Sequence, residues 1–152
     1  MICRDAEFWD GVANHPEVAP HIFMGMEPTS LAPILDNPDN LPMRSEHGGL
    51  IFTAAGSFGM VRELHTLYTP EGWGREVAMN AKHFMREAFK DCQIIVTQEQ
   101  EGNWRSVPPK SHGWKSVGEY CYVGMPVRLK LWMLTKEAFD ASPVGRKLQC
   151  QC

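Results

Sequence analysis

No apolar run in this sequence of 152 residues approaches the length of a membrane-spanning helix, so no membrane partner is expected. Basic excess is missing too: 15 Lys and Arg stand against 18 Asp and Glu, a formal net charge of −3. The basic residues are scattered, which disfavours a nucleic-acid surface. The cysteines lie at positions 3, 92, 121, 150 and 152, an odd number at wide spacing that does not form a disulfide framework. The six histidines show no HxxxH or HxH spacing, and Cys150-Gln151-Cys152 has no second pair beside it, so no metal site is expected. A P-loop, a Rossmann fingerprint, internal repeats and low-complexity tracts are all lacking. The stretch MICRDAEFWDG turns acidic without the apolar core of a secretion signal, which points to a cytoplasmic site of action.

What is present is ordinary for a globular protein, with 43% hydrophobic and 22% charged residues. The length suits one domain able to bury a real core, expected over residues 1–142 with a flexible tail at 143–152. Phe8, Trp9 and Val12 predict a short helix over Asp5–Val12, and Pro16 can open another helical turn. Gly25 to Gly49, rich in Pro, Asn, Asp and Ser, reads as a long irregular connection with at most one turn of helix at Leu31–Leu35. Two strands follow, Leu50–Ala55 and Met60–Tyr68, joined around Gly56–Gly59. Val77, Ala81, Phe84, Met85 and Ala88 recur at helical spacing and predict a long helix over Arg75–Lys90. A buried strand at Gln93–Gln98 comes next, then a segment broken by Pro108-Pro109. Strands at Trp114–Val123 and Val127–Thr135 and a helix at Lys136–Ala141 complete the order. Strand, long helix and strand make a βαβ candidate inside a mixed sheet.

The most informative stretch is LHTLYTPEGWGREVAMNAKHFMREAF, Leu64 to Phe89. Glycines 72 and 74 sit between strand and helix and allow a tight turn or close approach of a ligand. The first helical turn leaves backbone N–H groups unpaired at the positive end of the helix dipole, a natural seat for a pyrophosphate. Arg75 can add charge-assisted hydrogen bonds. Two readings fit this turn: an anion cradle, or a compact connection with Arg75 in solvent. On the preceding strand, Glu63 and His65 share one face, and either suits the general base that an attacking amine requires. Alternatively, Glu63 pairs with Arg62 or Arg105 and His65 is a satisfied, half-buried histidine.

The order of these features resembles the GNAT superfamily of acyl-CoA-dependent N-acyltransferases. LYTPEGWGREVA is similar to that family's glycine turn, and NWRSVPPKSHGWKSVGE to its Asn turn, helix and following strand. Asn103, Gly113, Trp114, Gly118 and Glu119 fall on matching positions. Farther upstream, ANHPEVAPHIF resembles a phage-encoded subgroup that includes proteins labelled head-assembly protein. The resemblance implies an α+β fold, a mixed, twisted sheet with flanking helices around a central strand–glycine turn–helix unit. It implies acetyl-CoA or CoA as co-substrate, with the pantetheine arm along Leu67, Tyr68 and Thr69 and the pyrophosphate on Gly72, Trp73, Gly74, Arg75 and Glu76. It gives Asn103 the far side of the pantetheine. Trp73 is expected to pack over the turn.

The sequence departs from the family pattern at Glu71 and Glu76, acids where the motif has Gln or Arg and a small residue. A carboxylate beside a pyrophosphate is repulsive unless a cation screens it. The Tyr with which many members protonate the leaving thiolate is missing between Asn103 and Gly113, where His112 or Tyr120 would have to stand in. Two functions follow from the resemblance. One is direct acetyl transfer to an amine of a small molecule or a protein, in the host cytoplasm if the gene is a phage's. The other is a catalytically silent protein of the same fold that works with phage structural proteins in head assembly or on the virion.

Overall fold

The computed structural model describes residues 1–56, 59–124 and 127–150. The turn expected around Gly56–Gly59, the link between the strands expected at Trp114–Val123 and Val127–Thr135, and the Cys150-Gln151-Cys152 motif fall partly outside the described residues. Along the chain run α1 (Ala6–Ala13), α2 (Ala19–Phe23), α3 (Ala32–Asp36), β1 (Leu41–Arg44), β2 (Gly48–Ala55) and β3 (Val61–Tyr68). Then come α4 (Arg75–Ala88), β4 (Ile94–Gln100), β5 (Lys115–Cys121), β6 (Arg128–Thr135), α5 (Lys136–Ala141) and α6 (Pro143–Gln149). The strands form a six-stranded mixed sheet in the order β1-β2-β3-β4-β6-β5. β3 and β4, which precede and follow α4 in the chain, pair in parallel as the βαβ expectation requires, whereas β1–β2, β4–β6 and β5–β6 are antiparallel. Two units arise, Met1–Ala54 with His65–Ala88, and Ala55–Leu64 with the chain from Phe89.

The core of the first unit is built on α1. Asp5 caps this helix by accepting from the Phe8 N–H at 3.3 Å, and helical spacing then turns Trp9, Val12 and Ala13 inward. Phe23, Leu31, Leu35, Ile51 and Leu67 close around them. Replacing the fully buried Trp9 by Ala would cost about 3–5 kcal/mol, because the cavity left behind cannot collapse. Asp10 accepts from the Ser30 hydroxyl and the Leu31 N–H, both at 2.7 Å, and so fastens the connection after α2 to α1.

The helical turn expected at Leu31–Leu35 is found as α3, whereas the reading of the rest of Gly25 to Gly49 as irregular is corrected, since β1 lies within it. Pro42 disguises β1 in the sequence, yet a proline removes only its own N–H from a ladder. Leu41, Met43 and Arg44 pair with Phe52, Leu50 and Gly49, and the Pro42 carbonyl accepts from the Cys3 N–H at 2.8 Å. The Arg4 guanidinium secures the stretch after α3 by donating to the carbonyls of Leu35, Asn37 and Asn40, the last two at 2.8 and 2.9 Å.

In the second unit, β4 and β6 pair from Ile94↔Thr135 to Gln100↔Leu129, and β5 follows on β6 with a bulge between Ser116 and Gly118. The region expected as a broken helix holds two 3-10 turns, Trp104–Ser106 and Lys110–His112, interrupted at Pro108-Pro109. Trp104 is 72% exposed. Within the stretch expected as a flexible tail, 143–152, the described residues hold a helix. Ser142 accepts from the Gly145 N–H at 3.0 Å, Pro143 takes the first turn, and α6 runs to Gln149 with Leu148 buried. Apolar residues in that stretch are too few to show a periodic stripe, so the cap carries the signal.

Candidate active site

β3 ends at Tyr68, and the chain passes through Thr69–Gly74 into α4. The two glycines of this turn are needed for different reasons. Gly74 has φ +91°, a conformation that strains any residue with a Cβ. A Cβ on Gly72 would lie 2.6 Å from Tyr68 Cδ1 and 3.0 Å from His47 Cβ. The buried Tyr68 ring thus fills the inside of the turn, and its hydroxyl meets the Ser45 hydroxyl at 3.1 Å. Burial pushes the Tyr68 phenol up.

The backbone donors divide sharply. The Gly72 N–H goes to the Thr69 carbonyl at 3.0 Å and the Trp73 N–H to the Pro70 carbonyl at 3.3 Å. The Val77 and Ala78 N–H groups return to Gly72 and Gly74. Among the described residues, no hydrogen bond takes the N–H of Gly74, Arg75 or Glu76. These three consecutive donors open a 14-residue helix, where the dipole adds partial positive charge, and Gly74 and Arg75 are exposed. Gly72 and Trp73, expected to offer their N–H groups, instead shape the turn. Trp73 packs back over it: its indole N–H donates to the Tyr68 carbonyl at 3.0 Å, with ring centroids 6.2 Å apart. The Thr69 N–H is likewise engaged, donating to the His47 carbonyl at 3.0 Å.

Glu76, the acid that most troubles an anion site, is drawn away by the β1–β2 turn. One carboxylate oxygen accepts from the His47 N–H at 3.0 Å, and the other lies 2.8 Å from His47 Nδ1. Burial alone would raise the Glu76 carboxyl, but hydrogen bonds from Ser45 and His47 hold it below the ordinary carboxylate value. The hydrogen bond to Glu76 in turn raises the His47 imidazole, helped by the charges of Glu46, Glu76 and Glu71. Glu71 remains exposed, lowered by the Thr69 hydroxyl. His47 was not singled out from the sequence. It lies 29 residues from Glu76, and the one available clue was that an acid in a phosphate turn needs a cation from somewhere.

Of the candidate bases, Glu63 lies in the second unit and His65 in the first. Glu63 is half-buried, and Gln98 Nε2 donates to its Oε1 at 2.7 Å. The parallel ladder ends at Glu63↔Val96, beyond which the Thr97 hydroxyl donates to the Leu64 carbonyl at 2.9 Å. His65 Nε2 stands 3.2 Å from the Thr53 hydroxyl on the neighbouring β2. Asn103 caps the first 3-10 turn: its Oδ1 accepts from the Arg105 N–H at 3.1 Å, and its amide reaches Gln100 Oε1 at 3.4 Å. Its side chain therefore has a local structural task.

The two stand-ins for the missing acid fare differently. His112 is buried and stacks on Phe139, with ring centroids 6.4 Å apart. Tyr120 meets Tyr122 edge to face at 5.5 Å, and burial, with Tyr122 and Glu63 adding to it, pushes its phenol up to about 12. It is fully protonated at neutral pH. The described residues contain no cluster of His, Cys, Asp and Glu able to hold a metal ion. No helix among them is long and apolar enough to cross a membrane.

Neither a protein-family model nor a curated protein matches the chain by sequence. Solved structures do match. An aminoglycoside 6'-N-acetyltransferase complexed with coenzyme A superposes with a TM-score of 0.60 at 12% identity, over 86% of this chain and 89% of its own. The aminoglycoside 6'-N-acetyltransferase from Enterococcus faecium gives 0.57 at 12% identity over the same shares. A T. thermophilus protein assigned as an acetyltransferase gives 0.58 at 19% identity, over 83% of this chain and 77% of its own. The six-stranded mixed sheet with its flanking helices thus matches the fold of GNAT acetyltransferases.

Proposed function

We propose that the chain is an acetyl-CoA-dependent N-acetyltransferase that transfers the acyl group directly to an amine. The observation that carries this reading is the row of unpaired N–H groups at Gly74, Arg75 and Glu76, set at the start of α4 in a fold shared with a coenzyme A complex. The donor set fits a pyrophosphate: three backbone donors, a helix N-terminus, an exposed Arg75, and a carboxylate turned toward His47. The bound co-substrate would supply the acyl group as its thioester.

The remaining chemistry falls to this chain's side chains. Glu63 or His65 accepts the proton of the attacking amine, directly or through a water. The proton for the leaving sulfur comes from Tyr120, a weak donor at about 12, or from solvent. Leu67, Tyr68 and Thr69 keep their proposed backbone role beside the pantetheine, with the Thr69 N–H already committed to His47. Asn103 keeps the role the family resemblance gives it. The phage-type assignment rests on ANHPEVAPHIF alone. The silent, head-assembly alternative loses one of its supports, because Glu76 is paired rather than pointed at the donors. Acetyl transfer from radiolabelled acetyl-CoA to a panel of amines tests the proposal. Turnover that disappears in Glu63→Gln or His65→Gln supports it, and no transfer to any amine despite cofactor binding favours the silent alternative.

A further inference from the structure

We propose that His47 is a positioning residue for the phosphate-binding turn: it holds the Glu76 carboxylate away from the three open N–H groups and sets how tightly they bind an anion. This inference rests on the cofactor reading above and adds a regulatory property to that site.

The geometry is specific. Glu76 contributes one of the open N–H groups itself, so its own side chain is the nearest acid to any ligand there. Left alone, that carboxylate could fold over its helix start and satisfy the same donors, as an acid in the first turn of a helix commonly does. It is instead engaged at both oxygens, by the His47 backbone N–H at 3.0 Å and by Nδ1 at 2.8 Å. Gly72 makes the arrangement possible, since a Cβ there would meet His47 Cβ at 3.0 Å and Glu76 Oε2 at 3.4 Å. The contact is only partly screened from solvent, the Glu76 side chain being 18% exposed and that of His47 40%.

Protonation governs the charge that the anion meets. With His47 protonated the pair is neutral overall. Once His47 loses its proton, a net negative charge remains beside the donors. Glu46 on the same turn, Glu71 on the connection and Glu76 on α4 all face His47, and His15 faces Glu71. His15 contributes equally in every variant below, so differences between variants isolate the His47–Glu76 pair.

The experiment is calorimetric binding of dephospho-CoA to the intact chain between pH 5.5 and 8.5, chosen because this ligand lacks the phosphate monoester, which itself titrates at about pH 6. Wild type, His47→Ala, Glu76→Gln and the double variant are compared. The expected result is wild-type affinity that falls roughly two- to fivefold as pH rises through the His47 transition. Glu76→Gln binds more tightly and its pH response moves to lower pH, because His47 there titrates without the partner that raises it; His47→Ala binds weakly throughout, and the double variant regains the lost affinity. An affinity lost equally in His47→Ala and the double variant, or the same pH response in all four proteins, overturns the inference while leaving the cofactor reading standing. No binding by wild type at any pH overturns both.

Discussion

Gln98 donates its side-chain amide to the Glu63 carboxylate at 2.7 Å, tying the candidate base on β3 to a neutral partner on β4. A neutral donor stabilises the charged carboxylate less than a cation would. The bond also keeps the Glu63 carboxylate oriented. Glu63→Gln is therefore expected to lower kcat by roughly a hundred- to ten-thousandfold if Glu63 is the base, with KM for the co-substrate little changed. Gln98→Leu, which removes the orienting bond, should lower kcat with KM for the co-substrate little changed. A Glu63→Gln protein that retains full kcat would transfer the role to His65, whose Gln variant is measured in parallel.

The glycine turn makes a second, paired prediction. Gly74→Ala should destabilise by about 1–2 kcal/mol, because φ +91° is left-handed backbone. Gly72→Ala should cost about 1–3 kcal/mol by another route, overpacking against the Tyr68 ring. Tyr68→Leu opens that space and should rescue Gly72→Ala but not Gly74→Ala. Denaturant unfolding of the single and combined variants reads this out.

Most of the architecture was legible in the residues because its signals are local. The stripe Val77, Ala81, Phe84, Met85, Ala88 gives α4, and the β-branched centre of β4 and the glycines of the turn place the βαβ unit. β1 was illegible because Pro42 reads as a breaker when the pairing partners lie elsewhere in the chain. α6 was illegible because its stability comes from one cap and the burial of Leu148, neither of which makes a periodic pattern. The site divides the same way. The turn is local and could be read, whereas the His47–Glu76 contact joins the β1–β2 turn to the start of α4, which are far apart in the sequence.

The helix in the tail gives a prediction of its own. Leu148→Ala is expected to cost about 2–5 kcal/mol, since the side chain is 2% exposed. Ser142→Ala, which leaves the Gly145 N–H uncapped, should cost about 1 kcal/mol. A freely moving tail would show neither effect in thermal unfolding.

The pH dependence of stability follows from the same pair of residues that poises the turn. His47 is raised above its ordinary 6.5, so its contribution is complete below that value and is lost as pH rises through the folded-state value. Glu76 is lowered below its ordinary 4.5, so its contribution is complete above that value and is lost as pH falls through the folded-state one. The pair stabilises most between the two. Glu76→Gln should flatten the stability profile on both sides of this window, as followed by denaturant midpoints from about pH 3 to 9.

Tyr120 carries the prediction for the acid step. With its phenol pushed up to about 12, it is protonated throughout the working range. Tyr120→Phe should therefore lower kcat without raising KM for the co-substrate, and the shape of the pH–rate profile should stay the same. An unchanged kcat would assign the proton to solvent.

The central claim is that the turn from Thr69 to Glu76 seats the pyrophosphate of coenzyme A. It is tested most directly by isothermal titration of the purified chain with coenzyme A, alongside an NMR titration of the Gly74, Arg75 and Glu76 amides. Saturable one-to-one binding that moves those three amide resonances is the predicted result. No heat at millimolar coenzyme A, or binding that leaves the three amides where they were, would contradict it.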